Sequence, residues 1–295
     1  MKHKDKPILI VEDLSKSFQV NSTNQVVLEG ISFFAMPREV ICIVGRSGCG
    51  KTTLLNILAG FESPSSGHAE MNGETIRKPG PDRCVVFQED TLFPWLTVRE
   101  NIEFGLKGVQ KKSSRKAELN RYLSMVGLQD FRDYLPGEIS GGMKQRVALA
   151  RVLIMKPQVL LMDEPFASLD YHTRRQMQEL LISLWRELEH TIIFVTHDID
   201  EAIMLADKIV VMDTSPGSIH SELRVPLIRP RRADKSDYIF FRKNILSLYE
   251  KPGMSPRGDS PLGISTERPS IHTKSKGMVD RGMIQLKQYL QSIKK

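Results

Sequence analysis

The sequence predicts an α/β fold with a mainly parallel core sheet and a mostly helical insertion. Three observations predict it. A glycine-rich turn, GRSGCGKT (45–52), stands between an apolar strand and a helical run. Apolar runs of strand length return later as VLLMD (159–163), TIIFVT (191–196) and KIVVMD (208–213), with helical stretches between them. Between those two regions, residues 97–151 turn to helical periodicity.

Taken in order, residues 8–12 and 26–34 read as strands, the second rich in β-branched and aromatic residues. EVICIV (39–44) is a strand ending at Gly45, and a helix follows from Lys51 to Ala59. RCVVF (83–87) is a short buried strand ending at Gln88. The helical span carries a lysine-rich interruption at 111–116. The composition shifts after residue 222, so residues 1–222 read as one unit and 223–250 as a strand and helix extension. Within the extension, 235–250 reads as one amphipathic helix. Residues 251–295 form a basic tail: 251–282 are rich in Pro, Gly, Ser and charge and read as disordered, while Met283–Ile293 fits a short helix.

The chain has 295 residues, 40% of them hydrophobic, which is enough for a sizeable core. No run approaches the roughly 18 consecutive apolar residues of a membrane span. The N-terminus is positive but lacks the apolar stretch of a secretion signal. Cys42, Cys49 and Cys84 show no metal-ligand spacing and read as reduced thiols of a cytosolic protein. The net charge of +7 is uneven: residues 1–222 hold 26 Lys+Arg against 29 Asp+Glu, and the remainder holds 16 against 6. The excess lies in the C-terminal quarter, 223–295, so the basic balance does not indicate a nucleic-acid partner.

GRSGCGKT matches G-x-x-x-x-G-K-[ST] in full, with the strand before and helix after that the mechanism needs. Its glycines let backbone N–H groups wrap phosphates, Lys51 is placed to reach the β- and γ-phosphates, and Thr52 to bind Mg²⁺. In VLLMDE (159–164), Asp163 ends a buried strand, where ligands of open parallel sheets collect. There it can hold Mg²⁺, and Glu164 can polarise an attacking water. Read alone, the pair is an ordinary solvated strand end. Gln88 and His197 also end strands; singly His197 reads as a helix cap, and the Gln88 amide can reach Mg²⁺ or water. Four strand ends carrying suitable polar groups make the signal. A second turn, Ser140-Gly141-Gly142 in ISGGMKQRVALAR (139–151), runs into an amphipathic helix and offers a further anion site.

GRSGCGKTT, VVFQED, ISGGMKQRVALAR, VLLMDEPFASLD and VTHDIDEA, in that order, resemble the nucleotide-binding subunit of ABC (ATP-binding cassette) transporters over residues 8–222. The resemblance implies a P-loop NTPase fold of the ABC type, with an antiparallel β subdomain and a helical subdomain over 89–156 beside the parallel core. It implies ATP and Mg²⁺ as cofactors and hydrolysis of ATP as the activity. Phe18 would stack on adenine, although a core phenylalanine fits the same position. Gly45, Arg46, Ser47, Gly48, Cys49, Gly50, Lys51, Thr52 and Thr53 would bind the phosphates. Thr52, Gln88 and Asp163 would hold Mg²⁺, and Gln88 would also link nucleotide to membrane subunit. Glu164 would be the catalytic carboxylate and His197 would contact the γ-phosphate. Ser140, Gly141 and Gly142 would close on the partner's ATP, and Asp170 would cross the dimer interface. Met143 stands where the commonest signature has Gln, and it cannot supply that amide's hydrogen bonds.

FPWLTVREN (93–101) and Arg-Pro-Arg-Arg (229–232) with the helix after it look like importers of nitrate, sulfonates such as taurine, and similar solutes. The assembly implied is two ATPase subunits, two membrane permease subunits and an extracytoplasmic solute-binding protein, with this chain peripheral on the cytoplasmic face. A soluble ABC-type ATPase is the rival; such proteins usually carry two cassettes or a long coiled coil, and neither is read here. Trp95, with Phe93 and Leu96, reads either as satellite core or as a groove for a membrane-subunit helix. The basic tail reads as a solvated extension, a contact to anionic lipid, or a partner-binding segment.

Overall fold

In chain order the backbone forms β1 (Leu9–Val20), β2 (Thr23–Ala35), β3 (Val40–Gly45), α1 (Lys51–Ala59), β4 (Ser66–Met71), β5 (Glu74–Thr75), β6 (Arg83–Val86), α2 (Val98–Phe104), α3 (Lys112–Met125), α4 (Gly141–Leu153), β7 (Val159–Asp163), α5 (Tyr171–Leu188), β8 (Thr191–Thr196), α6 (Ile199–Leu205), β9 (Lys208–Met212), β10 (Ile219–Arg224) and α7 (Ser236–Glu250). The computed structural model describes residues 6–88, 91–106, 112–214 and 216–250. The expected disorder of 251–282 and the helix at Met283–Ile293 lie outside the described residues.

Six strands form the core sheet in the order β10-β9-β3-β8-β7-β6. β3 pairs in parallel with β8 and β9, and β7 in parallel with β8 and β6. Only β10 runs antiparallel in this sheet. β3 is buried at every position because its apolar run faces cover on both sides. Val40, Cys42 and Val44 enter one hydrophobic cluster, with α2 to α6. Ile41 and Ile43 enter the other, between the sheet, α1 and the second sheet.

That second sheet is antiparallel, β2-β1-β4-β5. β1 and β2 are longer than the sequence reading of 8–12 and 26–34, and their ladder continues out to Val20↔Thr23. Asn21 and Ser22 form a two-residue turn with φ of 47° and 65°, the left-handed pair that matches strand twist. The outer half of the hairpin is exposed, so it lacks the apolar alternation that marks a strand in sequence. β4 was missed for a related reason, being short, polar and next to a sheet edge, and the strand read after residue 222 begins earlier, as β10 at Ile219. β10 also runs across the boundary drawn at residue 222, since Leu223 and Arg224 pair with Ile209 and Lys208. β6 ends at Val86, leaving Phe87 and Gln88 beyond the ladder. α3 begins at Lys112, inside the stretch read as an interruption. Lysine and arginine are good helix formers, and Leu119, Tyr122 and Leu123 give α3 its buried face.

The two sheets are joined beside the glycine-rich turn. Glu29 N–H donates to Gly217 O and Gly217 N–H to Val27 O, both at 2.9 Å. A Cβ on Gly217 would lie 2.0 Å from the Cys49 carbonyl oxygen. Glycine is therefore required here by close approach, and this residue escaped the sequence reading. Gly217→Ala should destabilise the protein by about 1–3 kcal/mol, as overpacking does, and should weaken nucleotide binding by displacing the turn. Thermal melting and titration with a fluorescent ATP analogue check both; an unchanged affinity would show that the turn tolerates the shift.

Candidate functional site

β3, β8, β7 and β6 are adjacent and parallel, so their C-terminal ends share one edge of the sheet. That edge carries the 45–52 turn after β3, His197 after β8, Asp163 and Glu164 at the end of β7, and Gln88 after β6. The strand ends anticipated from sequence are thus brought together.

The turn exposes Arg46, Ser47 and Gly48 and buries Cys49. Gly50 has φ +90° and leads into α1, whose N-terminus has no side-chain cap. The first-turn N–H groups of α1, Thr53 among them, point toward the turn, with the positive end of the helix dipole behind them. Lys51 is buried, and its Nζ donates to Gly45 O at 2.8 Å and Arg46 O at 3.1 Å. The ammonium therefore lies against carbonyls of its own turn.

Thr52 Oγ1 donates to Asp163 Oδ1 at 3.3 Å, joining α1 to β7. Burial pushes the Asp163 carboxyl above the usual range; the Glu164 charge adds to this, while the Thr52 hydrogen bond and Lys51 oppose it. Glu164 has φ +45°, a strained conformation for a non-glycine residue. Its N–H donates to Val195 O at 3.0 Å, which pins the turn onto β8. Its side chain meets the next strand end: His197 Nδ1 donates to Glu164 Oε2 at 2.8 Å. Among the described residues no three His, Cys, Asp or Glu side chains converge as a metal site.

Gln88 is exposed, and its backbone carbonyl accepts from Gln145 Nε2 of α4 at 3.2 Å. Ser140 caps α4, its Oγ accepting from Met143 N–H at 3.3 Å. Ser140 and Gly141 are exposed and Gly142 half-buried. Among the described residues no hydrogen bond joins them to the 45–53 turn. Met143 packs its thioether side chain on the hydrophobic cluster, an apolar use for the position where the commonest signature has Gln. Asp170 caps α5, accepting from Thr173 N–H at 3.1 Å; hydrogen bonding to the Thr173 side chain, and then to its backbone N–H, holds the exposed carboxyl below the usual range. Phe18 is 36% exposed on β1, with Lys16 Nζ 4.7 Å from its ring centre, so it is not a core phenylalanine.

Asn101 explains the aromatic segment before α2. It is fully buried, accepts from Phe93 N–H at 2.9 Å and donates to Leu96 O at 2.9 Å. This ties 93–97 into a tight turn and throws Trp95 outward, 72% exposed. Phe93 packs on Trp95 and Phe104 with ring centres 5.7 and 4.6 Å away. The satellite-core alternative for Trp95 is not what the structure shows.

Two supporting residues were not anticipated. Arg174 donates to Leu169 O at 2.9 Å and pairs with Asp198 at 3.6 Å, linking the segment before Asp170 to the residue after His197. Glu201 is 5% exposed and accepts from Thr196 Oγ1 at 2.6 Å and Gln178 Nε2 at 3.2 Å. Their chemistry is ordinary in sequence; only the packing of α5 and α6 brings them to the site.

The sequence profile of the ABC transporter family matches residues 28–167. The bicarbonate transport ATP-binding protein CmpD of Synechocystis is 44% identical over 231 residues, covering 77% of this chain and 82% of CmpD. The nitrate import ATP-binding protein NrtD of Synechocystis is 45% identical over 221 residues, covering 74% and 83%. A dimeric ATP-binding cassette in a post-hydrolysis state, bound to ADP and Pi, superposes with a TM-score of 0.64 at 28% identity, covering 75% of this chain and all of that one. The chain belongs to the ABC transporter family. It is an ATP-binding, ATP-hydrolysing cassette, and its fold is the P-loop fold of that family.

Burial raises the Glu201 carboxyl, with the Thr196 and Gln178 hydrogen bonds opposing. A carboxyl raised in the folded state lowers stability as pH climbs through the ordinary carboxylate range, from about pH 4, toward the raised value. Glu201→Gln removes that loss. The melting temperature of the variant relative to wild type should therefore rise with pH over this interval. A difference that stays flat with pH, in melting curves from pH 4 to neutrality, would contradict the assignment.

Proposed function

We propose that this importer-type subunit hydrolyses ATP at the shared strand edge, as one half of a dimer, and powers uptake of a small anion. The Glu164–His197 contact beside the Thr52–Asp163 pair carries the assignment. Backbone N–H groups of 45–53 hold the phosphates, and Lys51 leaves its own carbonyls to meet the β- and γ-oxygens. Glu164 orients the attacking water. The contact with Glu164 holds the His197 ring at the edge where the γ-phosphate lies, and Phe18 offers an exposed face to the base.

Thr52 and Asp163 place two hard oxygens side by side, a donor set that suits Mg²⁺, with the Gln88 amide free to reach it. Mg²⁺ supplies charge neutralisation of the phosphates. A bound cation also opposes the burial that raises Asp163. The exposed Ser140-Gly141-Gly142 turn closes the partner's site, and Asp170 faces the interface.

The exposed Trp95 patch, held by Asn101, receives a helix of a membrane permease. No described helix is long and apolar enough to cross a membrane, which fits a subunit peripheral on the cytoplasmic face. The names of the relatives support bicarbonate, nitrate or a similar small anion as the solute, captured first by an extracytoplasmic binding protein. They speak against the soluble alternative, as does the outward aromatic patch.

Glu164→Gln should keep ATP binding while turnover falls at least about 100-fold, the usual loss for a general base; wild-type hydrolysis would sink the assignment. Trp95→Ala should spare hydrolysis by the isolated subunit. Copurification with the permease and ATP-driven uptake in vesicles should both drop, and intact coupled uptake would argue against the docking patch.

A further inference from the structure

The Arg229-Pro230-Arg231-Arg232 segment takes no part in the site as described so far, yet two of its side chains are well placed. α6 is a seven-residue helix that begins two residues after His197. Arg231 is 7% exposed, and its Nη1 donates to Ile203 O at 2.6 Å and Ala206 O at 2.7 Å, the carbonyls at the end of α6. Arg231 Nε holds Leu227 O at 2.9 Å. Arg229 donates to Leu205 O and to Asp207 Oδ1, and Asp207 Oδ2 accepts from Val40 N–H at the start of β3.

The opposite end of α6 is held by α7. Tyr238 Oη donates to Asp200 Oδ1 at 2.9 Å, and Arg242 Nε donates to the same oxygen at 2.7 Å. Tyr238 and Phe241 are each 2% exposed. One C-terminal segment therefore grips α6 at both ends. A helix this short has little stability of its own, so its placement depends on caps and packing.

The placement of α6 bears on His197. Asp198 caps α6 by accepting from Glu201 N–H at 3.1 Å, and Asp198 N–H donates to Thr196 Oγ1 at 3.0 Å. Thr196 in turn donates to Glu201 Oε2. His197 thus sits in a turn bounded by β8 on one side and the first turn of α6 on the other.

We propose that Arg231 and Tyr238 are positioning residues for ATP hydrolysis, holding α6 at both ends so that His197 stays against Glu164. The proposal rests on the reading of Glu164 and His197 as the catalytic pair. A misplacement of about 1 Å can cost a catalytic geometry up to 100-fold, so a mobile α6 reduces turnover without touching the nucleotide contacts.

The test uses the full chain with Arg231→Met, which keeps an apolar stem but no donors, Arg231→Lys, and Tyr238→Phe, which removes one hydroxyl. Expected for Arg231→Met is a fall in kcat of about tenfold with KM for ATP within about twofold of wild type. Tyr238→Phe should lose about twofold to threefold in kcat, and Arg231→Lys should recover part of the loss. Amide exchange over 199–206 should quicken. In a His197→Ala background Arg231→Met should lower kcat no further, which a general loss of stability would not produce. Should Arg231→Met fail to fold, Tyr238→Phe and its own cycle with His197→Ala decide the matter. Folded variants with faster exchange in α6 but wild-type kcat overturn the proposal, as do additive losses in the His197→Ala background. Glu164→Gln separates the two claims: if it still turns over, the site assignment fails; if it is inactive while Arg231→Met and Tyr238→Phe match wild type, only the clamp fails.

Discussion

Parallel pairing of β3, β8, β7 and β6 is the constraint on which the site depends. In a parallel sheet every strand delivers its C-terminal residue to the same edge, so four segments distant in sequence meet without any of them reaching across the fold. The register is tight: Val44 lies beside Thr196, and Asp163 beside Val195. Each strand ends within two residues of a polar group: Arg46 after β3, His197 after β8, Asp163 as the last residue of β7, and Gln88 two residues beyond β6. The buried faces of the sheet and the chemistry at its rim are thus consequences of the same short apolar runs.

Around that rim several supporting contacts converge on the two short connections after β7 and β8. Glu164 is tied to β8 by its backbone and to His197 by its carboxylate. Arg174 spans from Leu169 to Asp198, and the buried Glu201 gathers Thr196 and Gln178. Displacement of either connection is felt by the other through several hydrogen bonds. α6 is the least self-sufficient element in this arrangement, which is why contacts at its ends matter more than their distance from the nucleotide edge suggests.

The legible parts of the fold were those with a physical reason to show in one dimension. A doubly covered strand must be continuously apolar, so β3, β7, β8 and β9 were evident. The turn at 45–52 requires glycine and lysine at fixed spacing, so it was evident too. The outer halves of β1 and β2 are exposed, so their side chains lack the apolar alternation that marks a strand. Gly217 is dictated by the Cys49 carbonyl 168 positions earlier in the chain, and nothing near Gly217 in sequence announces that neighbour. Arg231 looked like part of a basic stretch; its burial against helix carbonyls is decided wholly by tertiary packing.

The turn at Ser140-Gly141-Gly142 shows the same division between what a protomer satisfies and what it leaves for another. Ser140 Oγ accepts from Met143 N–H, and Met143 anchors the helix start in the hydrophobic cluster. The hydroxyl proton of Ser140 and the N–H groups of the two glycines remain at an exposed helix start. Hydrated donors of this kind cost a lone protomer nothing, because water meets them. In the proposed dimer they exchange water for phosphate oxygens at the positive end of α4, a gain available only when a second copy brings ATP. Closure is then conditional on nucleotide by construction, and loss of the γ-phosphate removes the partner those donors had gained.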